Sequence, residues 1–182
     1  MLTHPFPNAF GIDISDLSIK VVQLHHTPHR GEYHSYKLLA ARHVTLPHGL
    51  IIDGELAQPE QVRKYIQHLL KGHAANERPI RSPWVVASVP EKKAFTKLIH
   101  LEKNPEDVIE EDILYAAKRH IPFDDDAYYI DWEIMRNPEK EENTTQILIG
   151  AIQRQTADLY TYLLESVGLG VITLEIESLA IA

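Results

Sequence analysis

The segment from Phe10 to Val22 carries the side chains in this chain best suited to chemistry. Strand alternation sets Gly11, Asp13 and Ser15 on one face and Phe10, Ile12 and Ile14 on the other. The turn Ser15-Asp16-Leu17-Ser18 directs successive backbone N–H groups toward one point, a concavity in which a phosphate can sit. Asp13 offers hard oxygens for a magnesium ion held through water, and Lys20 on the return strand can neutralise phosphate oxygens as a point charge. The same residues also suit an ordinary β-hairpin with a turn aspartate and an exposed lysine, and spacing alone does not separate the two.

Other reactive patterns are weaker. Of the 11 histidines, His25, His26, His29 and His34 lie closest together, but Pro28 interrupts them. No HExxH pattern accompanies them and there is no cysteine, so they read as solvated surface residues. Asp124, Asp125 and Asp126 lack the glycine and distal glutamate of a calcium loop and read as an acidic loop. No G-x-S-x-G nucleophile motif occurs, and Trp84 and the tyrosines are spaced as core residues.

The elements that must position the hairpin follow from pattern. Ala9 to Ser15 and Ser18 to Leu24 form its two strands, and Tyr36 to Leu46 a third. Pro59 opens a helix whose apolar stripe is Val62, Tyr65, Ile66, Leu69 and Leu70, and Gly72 closes it. Trp84 to Val89 suits a buried strand. Beyond Pro90 the order becomes strand, helix, two strands, helix, strand. These are Ala94 to Leu101, a helix capped at Asn104-Pro105 and ended by Pro122, Tyr128 to Met135, Thr145 to Ile152, a helix with Thr156, Leu159, Tyr160, Leu163, Leu164 and Val167 inward, and Val171 to Ile176. The chain therefore reads as α/β, with a boundary near Pro90 and a βαββαβ unit beyond it that packs two helices on one face of a small sheet.

Charge divides along the same line: residues 1 to 103 carry a net +4 and residues 104 to 182 a net −12, within −8 overall. That asymmetry argues against nucleic-acid binding, which needs a basic face. Met1 to Pro7 do not read as a secretory signal, and no apolar run approaches the ~20 residues that span a bilayer, so a cytoplasmic location is expected.

The hairpin from Phe10 to Val22 resembles the first phosphate motif of the actin-like ATPases, and most closely that of the type IV pilus assembly PilM family. The likeness continues through Leu46-Pro47, Ile52-Asp53-Gly54, Val89-Pro90, the lead-in at Leu101, His120 to Phe123, Ser166 to Leu169 and Ile176 to Ala180. It implies an actin-like (ribonuclease H-like) subdomain 1A over residues 1–90, an inserted subdomain 1C over 91–170 and a return toward 1A over 171–182, as in the relative FtsA. It further implies phosphate binding by Asp13, Ser15, Asp16, Leu17, Ser18 and Lys20, with ATP as nucleotide and magnesium at Asp13.

The family has glycine where Ser15 stands and small residues in place of Asp16 and Leu17. A Cβ at Ser15 hinders phosphate if the backbone needs positive φ, and Asp16 adds negative charge. Actin-like sites close between two halves, and the second half is not in this sequence. No ATP turnover is therefore expected from these 182 residues. The resemblance implies a cytoplasmic scaffold that binds the amino-terminal peptide of a PilN-like inner-membrane protein in a groove between 1A and 1C. Pilus motor ATPases are further partners, and contact with the membrane is made only through partners. The rivals are a GspL-like cytoplasmic domain of type II secretion and a small-molecule kinase of the same superfamily.

Overall fold

The computed structural model describes residues 6–27, 35–72, 77–120, 127–135 and 144–181. His29, His34, Asp124 to Asp126 and the expected helix stop at Pro122 lie outside the described residues. The chain divides into two compact units, Met1–Glu91 with Ala157–Ala182, and Lys92–Thr156.

The first unit is built on a five-stranded sheet. Its strands are β1 (Phe10–Ser15), β2 (Ser18–Thr27), β3 (Ser35–Thr45), β6 (Trp84–Val89) and β10 (Gly170–Ile176), in the order β10-β6-β1-β2-β3. β1 pairs antiparallel with β2 and β2 with β3, while β1, β6 and β10 run parallel. Alternation is strict where it matters: Phe10, Ile12 and Ile14 of β1, Ile19 and Val21 of β2, and Val85, Ala87 and Val89 of β6 are all buried on one face. Against this face packs α1 (Pro59–Lys71), which buries Val62, Ile66 and Leu69 at helical spacing and contacts β2 and β3. A two-stranded ribbon, β4 (Ile51–Ile52) with β5 (Glu55–Leu56), precedes that helix. Its loop is Asp53-Gly54, with φ of +50° and +77°, the pairing that a type I′ hairpin turn requires.

Arg42 secures the helix end. It points from β3 to the core side, and its guanidinium donates to the Leu69 and Leu70 carbonyls at 2.7 and 3.1 Å and to the Arg78 carbonyl. These are carbonyls of the last helical turn and of the segment beyond it, which the helix cannot satisfy itself. Only 6% of the Arg42 side chain is exposed, so the fork of donors replaces water outright. A glycine allows close packing at the other edge: a Cβ on Gly170 would stand 2.7 Å from the Trp84 ring.

The second unit is a three-stranded antiparallel sheet, β7 (Ala94–Leu101), β9 (Thr145–Gln153) and β8 (Tyr128–Met135), in the order β7-β9-β8. α2 (Glu110–Lys118) buries Ile113 and Ala117 with Ile99, Tyr128, Ile147, Ile149 and Ala151. The helix does not start at Asn104-Pro105 as its sequence suggests. Pro105–Asp107 is a single 3₁₀ turn, Asn104 makes no side-chain cap, and Val108 is extended. The α-helix begins after Ile109, whose N–H is taken by the Asp112 carboxylate at 3.2 Å. Lys103 holds that carboxylate at 2.6 Å, and this ion pair, with the Ile109 N–H, keeps the Asp112 pKa below its ordinary value.

The expected βαββαβ unit does not close as one sheet. Its last strand, β10, hydrogen-bonds to β6 in the five-stranded sheet. The helix before it, α3 (Arg154–Glu165), turns Tyr160, Leu163 and Leu164 inward, and residues from Ala157 onward group with the first unit. Leu159, placed in the inward stripe by its spacing, is exposed, because the buried line runs through Ala157, Tyr160 and Leu164. A short α4 (Glu177–Ile181) follows β10 and packs on it and on β6.

Arg42→Ala takes the guanidinium from the Leu69 and Arg78 carbonyls, while Leu70 keeps the Ile80 N–H at 2.9 Å, and is expected to cost about 2–4 kcal/mol in the first unit. Urea unfolding followed by Trp84 fluorescence checks this, and Arg42→Lys, lacking the planar fork, recovers only part of the loss.

Candidate functional site

The carboxyl ends of parallel strands are where an open α/β sheet leaves room for ligands. Asp13 and Ser88 stand near the ends of the parallel strands β1 and β6, and Glu177, the first residue after β10, is near enough to act on Lys20. The register sets Ile12 beside Ala87 and Asp13 opposite Lys20. One Asp13 oxygen, Oδ1, accepts the Ser88 hydroxyl at 2.6 Å, and the other, Oδ2, accepts the Lys20 ammonium at 2.8 Å. The hydrogen bond to Asp13, then that carboxylate's charge, raises the Lys20 pKa above the ordinary lysine value; desolvation opposes them and Glu177 adds a smaller upward pull. Lys20 remains 57% exposed at its side chain against 28% for Asp13, so the ammonium faces solvent from a fixed anchor.

The turn itself is used differently. Asp16 reaches across to the Asp53-Gly54 loop, where Oδ2 accepts the Asp53 N–H and Oδ1 the Gly54 N–H, both at 2.9 Å. Successive N–H groups in the left-handed region form an anion-holding nest, and here the chain's own carboxylate fills it. Beneath the loop the Tyr160 hydroxyl donates to the Gly54 carbonyl at 3.2 Å. Burial first, then the negative charges of Asp16 and Asp13, pushes that phenol far above the usual tyrosine range, so it stays a donor. Ser15 Oγ lies 3.1 Å from both the Ser18 carbonyl and the Ser18 hydroxyl. Leu17 is exposed at its side chain and accepts the Leu46 N–H at its carbonyl, 2.8 Å away.

Of the six residues singled out in the sequence, Asp13 and Lys20 thus form one pair and Ser15 and Ser18 another, while Asp16 and Leu17 bind other parts of the first unit. Ser15 does not sit at positive φ; among the described non-glycine residues only Asn8 and Asp53 do. Its Cβ therefore carries no backbone strain. Ser88 escaped the sequence reading, although alternation along Trp84 to Val89 already put it on the face opposite Val85, Ala87 and Val89. Among the described residues no three His, Asp or Glu side chains are grouped to hold a metal directly. Asp13 and Ser88 supply the hard oxygens that a hydrated magnesium ion prefers.

A sequence profile described as Type IV pilus assembly protein PilM matches residues 11–182. The chain belongs to the PilM family. Among solved structures it is similar to a chain of a PilM-PilN type IV pilus biogenesis complex, with a TM-score of 0.78 and 24% identity over 97% of this chain and 49% of that one. It therefore spans about half the length of that relative, and at this identity the likeness establishes the fold, a mixed α/β chain around a central sheet. A second match is the cytoplasmic domain of EpsL, an inner membrane component of the type II secretion system of Vibrio cholerae, with a TM-score of 0.49 and 10% identity over 92% and 57% of the two chains. No helix among the described residues of this PilM-family chain is long and apolar enough to cross a membrane, which says nothing of membrane strands.

Two measurements check the geometry. Because a raised pKa lowers the fraction of free amine, Lys20 is expected to be acylated several-fold more slowly at about pH 9.5 than in Asp13→Asn, as read by peptide mass spectrometry. Asp16→Ala removes a charged acceptor from two backbone donors and is expected to destabilise the first unit by about 1–3 kcal/mol in urea.

Proposed function

We propose that this chain is the adaptor portion of a PilM protein, which binds the cytoplasmic amino-terminal tail of a PilN-like inner-membrane protein and, in the full-length protein, ATP with magnesium. The observation that carries the reading is the family match over residues 11–182, joined to the fold likeness with a chain of the PilM-PilN complex. In this reading the first unit corresponds to the actin-like subdomain 1A and the second to the inserted subdomain 1C. The protein works at the cytoplasmic face of the inner membrane, which it reaches through its partner, and pilus motor ATPases dock on the assembled complex.

The hairpin's part in this is phosphate binding. Lys20 supplies the point charge, the N–H groups of the Ser15 to Ser18 turn supply donors, and Asp13 with Ser88 holds magnesium through water. Magnesium held there would supply positive charge to neutralise phosphate oxygens. Lys20 must then share itself between Asp13 and the phosphate, an exchange at an exposed site that costs about 1 kcal/mol or less. The Asp16 carboxylate is committed to the Asp53-Gly54 loop, so Asp16 takes part through its backbone N–H while its side chain holds the turn's position. The role proposed for Asp13, Ser88 and Lys20 is binding, and no ATP turnover by these 182 residues is expected.

Calorimetry with the amino-terminal peptide of the PilN-like protein encoded by the same genome tests the adaptor reading. The expected affinity is micromolar, about −8 kcal/mol, and no heat at several hundred micromolar overturns it. For the hairpin, Lys20→Ala is expected to weaken any ATP or phosphate binding by a few-fold to about tenfold. An unchanged isotherm removes Lys20 from the site.

A further inference from the structure

β3 is the last strand of the five-stranded sheet, so among the described residues one edge of its backbone has no strand beside it. Eleven residues long, it is a template on which another extended chain can pair. The register with β2, which shifts at Leu39, sorts the side chains from Ser35 to Leu38 into two rows. Leu38 opposite Leu24 and Tyr36 opposite His26 share the face that carries Val22, away from the core of the first unit. On that face Leu38 is 58%, Tyr36 61%, Leu24 44% and Val22 45% exposed, a contiguous apolar surface reaching the open edge. On the other face, past the end of the core, Lys37 stands opposite His25, and both are exposed.

The charge on the described residues of β2 and β3 has one sign. The described residues of β2 and β3 include Lys20, His25, His26, Lys37, Arg42 and His43 and not one aspartate or glutamate. Arg42 is turned inward onto the α1 carbonyls and Lys20 onto Asp13, which leaves Lys37 as the cation at the edge. A strand laid beside the Ser35 to Leu38 end of β3 would place alternate side chains against Tyr36 and Leu38 on one face and against Lys37 on the other. A second copy of β3 fits this poorly, because it supplies another Lys37 and no carboxylate to oppose the first.

We propose that the β3 edge is a docking site for an extended peptide segment of a partner protein in which aliphatic and acidic residues alternate. The aliphatic side chains lie on Leu38, Tyr36 and Leu24, and the acidic ones face Lys37 and His25. Backbone pairing along β3 supplies the register, and the two rows supply the choice of sequence. The site is separate from the phosphate hairpin and does not depend on nucleotide.

The probe is a fluorescein-labelled peptide, Ser-Val-Glu-Val-Glu-Val-Glu-Ser, titrated with the full 182-residue chain by fluorescence anisotropy. Saturable binding in the range of about 10–100 µM is expected, weakening about three- to tenfold between low and high salt. Lys37→Glu and Leu38→Asp each weaken it at least about fivefold, with circular dichroism confirming that both variants fold; if Leu38→Asp does not fold, Lys37→Glu alone decides. No saturation by about 500 µM, equal binding of the peptide with lysine in place of glutamate, or wild-type binding by Lys37→Glu overturns the proposal. So does concentration-dependent self-association that Leu38→Asp abolishes, which would make a second copy the occupant.

Discussion

The Asp16 carboxylate, held by two backbone N–H groups of the Asp53-Gly54 loop, is the constraint on which the first unit's functional edge depends. Through it three separate parts of the chain become one support: the β1–β2 turn, the short β4–β5 ribbon and, by way of the Gly54 carbonyl and Tyr160, helix α3. A two-residue hairpin loop without positive φ is not the turn that matches strand twist best. Neither Asp16 nor Leu17 is at positive φ, so this turn lacks the usual local preference and draws its definition from the tertiary contact. The same contact explains why an acidic residue is tolerated next to a proposed phosphate position. Its charge is spent on donors that would otherwise be an anion site of their own.

Much of this was legible in the sequence, and the limits have identifiable causes. β1, β2 and β6 fell within a few residues of their pattern because each has one face dry, and a period of two then fixes which side chains face inward. Asp53-Gly54 announced its turn, since few dipeptides accept two left-handed residues. The start of α2 was misplaced because Asn104-Pro105 is a good local signal outweighed by a distant one: the Asp112 carboxylate, anchored by Lys103, offers Ile109 a cap nine residues from that lysine. For a different reason, pattern alone grouped strand β10 with the second unit, although the family resemblance returned residues 171–182 toward the first. Val171 to Ile176 is equally apolar whichever neighbour it pairs with, and nothing local distinguishes β6 from β7 as that neighbour.

Within the candidate site, the residue types were readable and their pairings were not. Asp13 and Lys20 stand out by type in an apolar hairpin, and their cross-strand register follows from a two-residue loop. Ser88 is separated from Asp13 by 75 positions and is joined to it only by parallel pairing of β1 with β6. Asp16 was read as a phosphate neighbour because sequence shows the turn it belongs to and not the loop it reaches. Long-range partners of this kind are set by topology, which one strand's pattern does not contain.

The balance at Asp13 and Lys20 decides how such a site can work. Were the pair buried, its separation would cost several kcal/mol and a phosphate could not compete. Its exposure puts it in the range where an ion pair contributes about 1 kcal/mol or less, while a polyphosphate brings more than one negative charge to the same ammonium. Asp13 does not leave the site when Lys20 turns away, because the Ser88 hydroxyl still holds its other oxygen. The carboxylate is then left with one oxygen open to water. A weak, solvent-facing pair beside a firmly held carboxylate therefore keeps both charges in place without closing the site, and it does so with side chains that the parallel strands deliver to one edge.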